Sequence, residues 1–241
     1  MRFNLTKEPT LKTRASKALG AAAVAAVAAS LPLAINASAD PEPTPVAQIP
    51  DPQGPGCDAF KSAVPNWKDL NNHPVGTALA SIPDISTFNS LIAGGVNPNA
   101  NIVPVIENGP YVVFAPSNAA FAAMAPGQFD ALKASSVEAL TKFGYYHVFL
   151  GLLGPDNVHG TRPTQDGAPI KVTGKGGDIV VNDTAKVVCG GIQASDARIY
   201  IIDGVLDPAQ APAAPAPPGA ATTTTSAAAS AETPAAPPQG T

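Results

Sequence analysis

Tyr111-Val112-Val113-Phe114-Ala115-Pro116-Ser117-Asn118-Ala119-Ala120-Phe121 is the stretch on which the fold turns. Tyr111 to Ala115 are β-branched or aromatic apart from the last, the composition of a strand buried on both faces. Pro116 removes a backbone donor, and Ser117 and Asn118 offer short polar side chains of the kind that cap a helix; Ala119 to Met124 then read as that helix. The segment is therefore a buried strand that turns sharply into a short helix. Such a unit by itself says only that a core is near. Two later segments answer it. Tyr145-Tyr146-His147-Val148 closes a helical stretch, and Arg198-Ile199-Tyr200-Ile201-Ile202-Asp203-Gly204-Val205-Leu206-Asp207-Pro208 reads as a second buried strand, over Ile199–Leu206, ended by proline.

In this order and at this spacing the three segments resemble the signature boxes of the fasciclin domain. The first box corresponds to Phe114 through Phe121, the tyrosine-histidine box to Tyr146-His147-Val148, and the last box to Ile199 through Pro208 with Asp203 at its centre. The resemblance spans Cys57 to Pro208, with a cysteine near each end as in single-domain relatives. One position departs from the pattern: Ala119 stands where many members carry an acidic residue. The resemblance implies an α+β fold, with helices packed on a wedge of two β-sheets. It also implies cell adhesion and extracellular-matrix contact, in which the tyrosine-histidine box and its neighbours are the usual contact residues.

Outward from this core the 241-residue chain changes character. Arg2, Lys7, Lys12, Arg14 and Lys17 precede an uncharged, alanine-rich run from Ala18 to Ala39 that ends Ala37-Ser38-Ala39. That is the pattern of a secretory signal peptide over residues 1–39, with the mature chain starting at Asp40. Pro32 and Asn36 make the same run a poor membrane anchor, and nothing after Asp40 is apolar for long enough to span a bilayer. Removing residues 1–39 takes five of 14 basic and one of 18 acidic residues, leaving 9 against 17, a net charge of −8 with neutral histidines. With no basic cluster left, the composition argues against nucleic acid and against electrostatic attachment to anionic lipid. Residues 40–56 hold six prolines and read as an extended spacer; residues 209–241, rich in Ala, Pro and Thr, read as a disordered tail.

Helices are expected near Pro74–Leu79, Ser86–Ala93 and Ser136–Phe143, the last with Val137, Leu140 and Phe143 facing inward. Strands are expected near Ile170–Thr173, Ile179–Asn182 and Lys186–Cys189, with glycine-rich turns between them. Asn182-Asp183-Thr184 has the form of a glycosylation sequon and reads as a turn. Cys57 and Cys189, in a secreted chain with no other thiol, read as a structural disulfide and not as a metal or redox pair.

The residues of catalytic type are explained locally. Ser117, His147 and Asp203 could be arranged as nucleophile, base and orienter, but Ser117 lies in no Gly-x-Ser-x-Gly elbow, and Pro116 and Asn118 explain it as a cap. His73, His147 and His159 are scattered, so no metal and no cofactor is expected. Met124 and Phe129, beside Pro126-Gly127, could border an apolar groove. The reading is of a non-enzymatic, secreted module, extracellular or cell-wall associated, that binds a matrix or host cell-surface protein. The contact candidates are Tyr145, Tyr146, His147, Met124 and Phe129, and Pro116, Ser117, Asn118 and Asp203 are structural. The alternative is a carrier of a small apolar ligand or lipid.

Overall fold

Every residue of Tyr111–Pro116 is buried, and a strand covered on both faces requires a packed layer on each side of its sheet. The computed structural model describes residues 48–214. The signal peptide, the start at Asp40, residues 40–47 of the spacer and residues 215–241 of the tail lie outside them. In chain order the described helices are α1 (Cys57–Ala63), α2 (Val75–Ala80), α3 (Ser86–Ile92), α4 (Val103–Ile106), α5 (Asn118–Ala122), α6 (Gln128–Lys133) and α7 (Val137–Tyr146). The strands are β1 (Tyr111–Pro116), β2 (Val148–Leu150), β3 (Gly160–Pro163), β4 (Pro169–Lys175), β5 (Asp178–Val181), β6 (Ala185–Gln193) and β7 (Ala197–Ile202). The fold is α+β, and among the described residues all seven α-helices precede six of the seven strands.

The seven strands form one hydrogen-bonded run in the order β2-β1-β7-β6-β5-β4-β3. β1 pairs with β7 in parallel and with β2 antiparallel. The run divides at β6, whose first residues, Ala185 and Lys186, pair with β5 while Val187 to Gln193 pair with β7 through two register shifts. Such irregularities bend a strand, and the two sheets of the expected wedge are the halves on either side of β6.

Side chains alternate across β1 and β7 with the strand period of two, and two cores result. Val113, Ala115, Ile199 and Ile201 face the helices and pack with Phe88, Leu91, Ile92, Leu140 and Phe143. Val112, Phe114, Tyr200 and Ile202 face the other way and meet Ile170, Val172, Ile179 and Val181 from the far half of the sheet. Each such aliphatic or aromatic side chain, fully buried, contributes roughly 1.5–3 kcal/mol. β7 therefore belongs to both cores.

Several boundaries differ from the sequence reading: α7 runs on to Tyr146 and β6 to Gln193, each beyond its expected end. β7 ends at Ile202, not Leu206, because Asp203 leaves the ladder: its Oδ1 accepts the Lys186 N–H at 2.7 Å and its own N–H donates to Lys186 O at 3.0 Å. The end of the proline-rich stretch makes ladder contacts after all. Gln53 exchanges two backbone hydrogen bonds with Gly190 of β6, at 2.9 and 2.8 Å, and Gly56 N–H donates to Val188 O at 2.8 Å. Gly54 permits this approach, since it sits at φ +142° and a Cβ there would collide with the Val188 carbonyl. The same contact brings Cys57, the first residue of α1, onto β6, where it is bonded to Cys189 across 132 residues of chain. Both cysteines are buried.

Candidate functional site

The Pro116-Ser117-Asn118 turn is built to hold helices together. Ser117 has extended backbone, its Oγ accepts the Ala120 N–H at 3.1 Å and its N–H donates to Ile202 O at 2.9 Å. It caps α5 and ties it to β7. Asn118 reaches sideways: its Oδ1 accepts the Thr87 N–H at 3.0 Å, and its Nδ2 donates to Pro83 O at 2.9 Å. One amide thus joins the start of α5 to the start of α3. Replacing Ser117 by alanine should cost about 1 kcal/mol, readable as a shifted denaturant midpoint with an unchanged slope. Ala119, the departure from the family pattern, is exposed in the first turn of α5.

The tyrosine-histidine box lies at the end of α7, itself capped by Ser136 Oγ accepting from Ala139 N–H at 3.2 Å. His147 is 0% exposed. Its Nδ1 donates to Phe143 O at 2.8 Å, so its Nε2 carries no proton and accepts the Leu206 N–H at 3.3 Å. The ring lies between Phe143 and Phe88, centroids 4.5 and 5.3 Å away, and the His147 carbonyl accepts the Phe114 N–H of β1 at 2.9 Å. Burial disfavours the charged form and holds the imidazole at a pKa of about 4, against the smaller opposing effect of the bond to Phe143. His147 is a neutral bolt that joins α7, β1 and the segment after β7.

Tyr146, also 0% exposed, performs the same task toward the far half of the sheet. Its hydroxyl donates to Pro169 O at 3.3 Å and accepts from Asn182 Nδ2 at 2.8 Å. Burial raises its pKa above the usual phenol value, more than the bond from Asn182 lowers it. Asn182 in turn accepts the Lys171 N–H at 2.9 Å and, like Asp183, has left-handed backbone, φ 50° and 58°. The sequon is thus the turn between β5 and β6, with its amide committed on both sides.

These positions separate the candidates. Tyr146 and His147 lie inside the fold, so neither side chain can touch a partner at the surface. Tyr145 is half-buried against the helix-side core, and Met124 and Phe129 are also half-buried. Phe129 packs on Phe121 at 5.3 Å, with the Lys133 amine 4.6 Å above its ring. Ser117, His147 and Asp203 are each bonded to other groups, with no hydrogen bond joining any two of them. Among the described residues no three His, Cys, Asp or Glu side chains are grouped so as to hold a metal ion.

Met124 does border a groove, of about 680 Å³, and Phe129 does not; the other wall is one the sequence did not reveal. The groove runs between α5, α6 and α7 on one side and the Asp203–Gln210 segment on the other, with Leu132, Phe143, Val205 and Leu206 among its larger apolar residues. Alanines at 120, 123, 131 and 139 form much of its lining. No pattern of small residues distinguishes a groove from a tightly packed helix pair, so beyond Met124 the sequence carried no signal for its lining. The segment after β7 continues into a 3-10 turn, Pro208–Gln210, where the Asp207 carboxylate accepts the Ala209 N–H at 2.8 Å.

Comparison with known proteins agrees with the boxes. The fasciclin domain profile matches residues 83–208, which hold all three. The immunogenic protein MPB70 of Mycobacterium bovis is 39% identical over 169 residues, 68% of this chain and 86% of that protein. The cell surface glycolipoprotein MPB83 of the same species is 34% identical over 213 residues, 82% of this chain and 96% of that protein. A solved FAS1 domain pair from the insect cell adhesion molecule fasciclin I superposes on 58% of this chain and 53% of its own at TM-score 0.44 and 14% identity, too loosely to add weight. The profile match covers more than half of the chain, and the boxes it spans are the residues that bolt this fold together: the chain belongs to the fasciclin domain family.

Proposed function

We propose that this protein works by binding and not by catalysis, as a secreted adhesion or surface-interaction module whose partner is a matrix or host cell-surface protein. Its place in the fasciclin family, with relatives named as an immunogenic protein and a cell surface glycolipoprotein, supports an extracellular or cell-surface location and a surface-interaction role. One observation carries the choice of binding over chemistry. Every polar side chain of catalytic type in the boxes is bonded into the frame, while large apolar side chains stand exposed elsewhere.

Those exposed side chains favour a surface away from the tyrosine-histidine box. Leu150, on the edge strand β2, is 60% exposed, and Leu152 and Val105 are also exposed. A few apolar anchors can carry most of the energy of a protein interface. β2 ends the strand order, and although its Val148 O already accepts the Gln165 N–H at 2.8 Å, an edge position of this kind is where a partner strand can add. The test is adhesion of the labelled full chain to matrix-coated surfaces. Leu150→Asp with Leu152→Asp is expected to lower adhesion at least about tenfold with the melting temperature unchanged, and a chelator is expected to have no effect. Unchanged adhesion by the double variant would move the contact surface elsewhere. Ester turnover abolished by Ser117→Ala in a folded protein would replace binding by chemistry.

A second reading, a carrier of a small apolar ligand, is favoured by the groove beside Met124.

A further inference from the structure

The groove has the features of a built site and not of a packing gap. Its volume, about 680 Å³, lies in the range of pockets that enclose small ligands, roughly 300–1,000 Å³. Its depth comes from alanine where three helices and a loop converge, and its walls from Met124, Leu132, Phe143 and Leu206. Transferring a hydrocarbon chain from water onto such a surface is favourable in proportion to the apolar area covered.

The charges at the rim select the head group. Lys142, Asp203 and Asp207 line the opening. Both carboxylates already accept hydrogen bonds from the protein: Asp203 from Lys186 N–H at 2.7 Å, and Asp207 from Ala209 N–H at 2.8 Å and Gln210 Nε2 at 3.1 Å. Lys142 is exposed and, among the described residues, has no carboxylate within salt-bridge distance, though it lies near enough to Asp166 to offset part of the rise that burial gives that carboxyl's pKa. Two carboxylates against one amine repel a fatty carboxylate or a phosphate head, as does the net charge of −8 on residues 40–241. An alkylammonium head is attracted by the carboxylates but has no lone pair to accept a hydrogen bond from the Lys142 amine. A neutral head bearing hydroxyls suits both signs, since it accepts from Lys142 and donates to the unused lone pairs of Asp203.

We propose that this groove binds a neutral single-chain lipid, with the acyl chain along α5, α6 and α7 and a hydroxylated head of the monoacylglycerol kind at Lys142 and Asp203. The inference deepens the carrier reading and does not depend on the adhesion surface at Leu150 and Leu152.

The test uses the full chain and the fluorescence of N-phenyl-1-naphthylamine, a neutral apolar probe, displaced by 1-monooleoylglycerol, oleate or oleylamine. These three share a chain and differ in head charge. Monooleoylglycerol is expected to displace the probe at a concentration at least about tenfold below either charged counterpart. Ala139→Phe, a substitution at an exposed lining position, fills the groove and is expected to weaken displacement at least about tenfold with the melting temperature unchanged. Lys142→Glu, which leaves the walls intact, is expected to shift preference toward oleylamine by a similar factor. Leu150→Asp with Leu152→Asp should leave displacement as it was, which separates failure of this proposal from failure of the adhesion reading. Absence of displacement, preference for oleate or for oleylamine, or wild-type displacement by a folded Ala139→Phe protein would overturn the proposal. So would displacement by a synthetic peptide of residues 215–241, which would make the chain's own tail the occupant.

Discussion

Replacing Cys57 and Cys189 together by alanine is expected to destabilise the domain by about 5 kcal/mol. The bond closes a loop of 132 residues, and in the chain-entropy account the stabilisation grows with the logarithm of loop length and approaches that value at this size. Alanine is preferable to serine here because both sulfurs are buried, and a hydroxyl in their place would add the cost of an unsatisfied polar group. The melting temperature should fall by roughly 10–20 °C for a domain of this size. The fold should survive, because two cores remain on either side of β1 and β7 and neither is organised by the sulfurs. Thermal scans of the wild-type chain with and without reductant, beside the variant, make the measurement. A variant within about 1 kcal/mol of wild type would mean that the Gln53–Gly190 bridge already restrains the chain to the same extent.

Replacing His147 by alanine should cost about 3 to 5 kcal/mol, combining the cavity left by a fully buried ring with two stranded backbone partners, the Leu206 N–H and the Phe143 carbonyl. The same residue sets an acid limit. Its pKa in the fold, about 4, lies below the ordinary 6.5, so the fold favours the neutral ring. The stability this represents is complete above pH 6.5 and is lost as the pH falls from there toward 4, by about 3 kcal/mol over the whole window. Asp166 and Asp196 oppose it lower down, since burial raises their pKa values and protonating them favours the fold. Denaturant melts of the wild-type chain should therefore lose stability between pH 6.5 and 4, and His147→Gln should flatten that slope. A wild-type slope retained in His147→Gln would assign the acid limit to another group. Partner binding lost by His147→Ala with stability unchanged would show that the histidine reaches the surface after all.

Much of the frame was legible because its signals are local. The strand at Tyr111 to Ala115, the cap at Ser117 and the inward face of Leu140 and Phe143 all follow from periodicity and from which side chains can satisfy a free backbone N–H. β4, β5 and β6 were visible as short apolar runs between glycine turns. α1, α4, α6, β2 and β3 were not. Each is short, and β2, three residues long, begins directly after the C-cap of α7, where no period can establish itself. The last strand was drawn to Leu206 because Val205 and Leu206 extend its apolar run. The structure ends it at Ile202, where Asp203 turns back to the backbone of Lys186 on another strand.

The three boxes carried the resemblance to the family; beyond that the sequence determined the buried central strand, the helix capped by Ser117 and the identity of the cysteine pair. These depend on side-chain volume, on hydrogen-bonding type and on there being two thiols to join, none of which requires knowing where distant residues lie. Only the tertiary structure decided what the boxes are for. Whether His147 faces solvent or the Leu206 N–H, 59 residues away, depends on a long-range pairing that leaves no mark on neighbouring residues. The groove depends equally on how far apart α5, α6 and α7 come to rest. Alanine permits either close contact or an opening, and only the crossing of the chain beyond β7 makes it an opening.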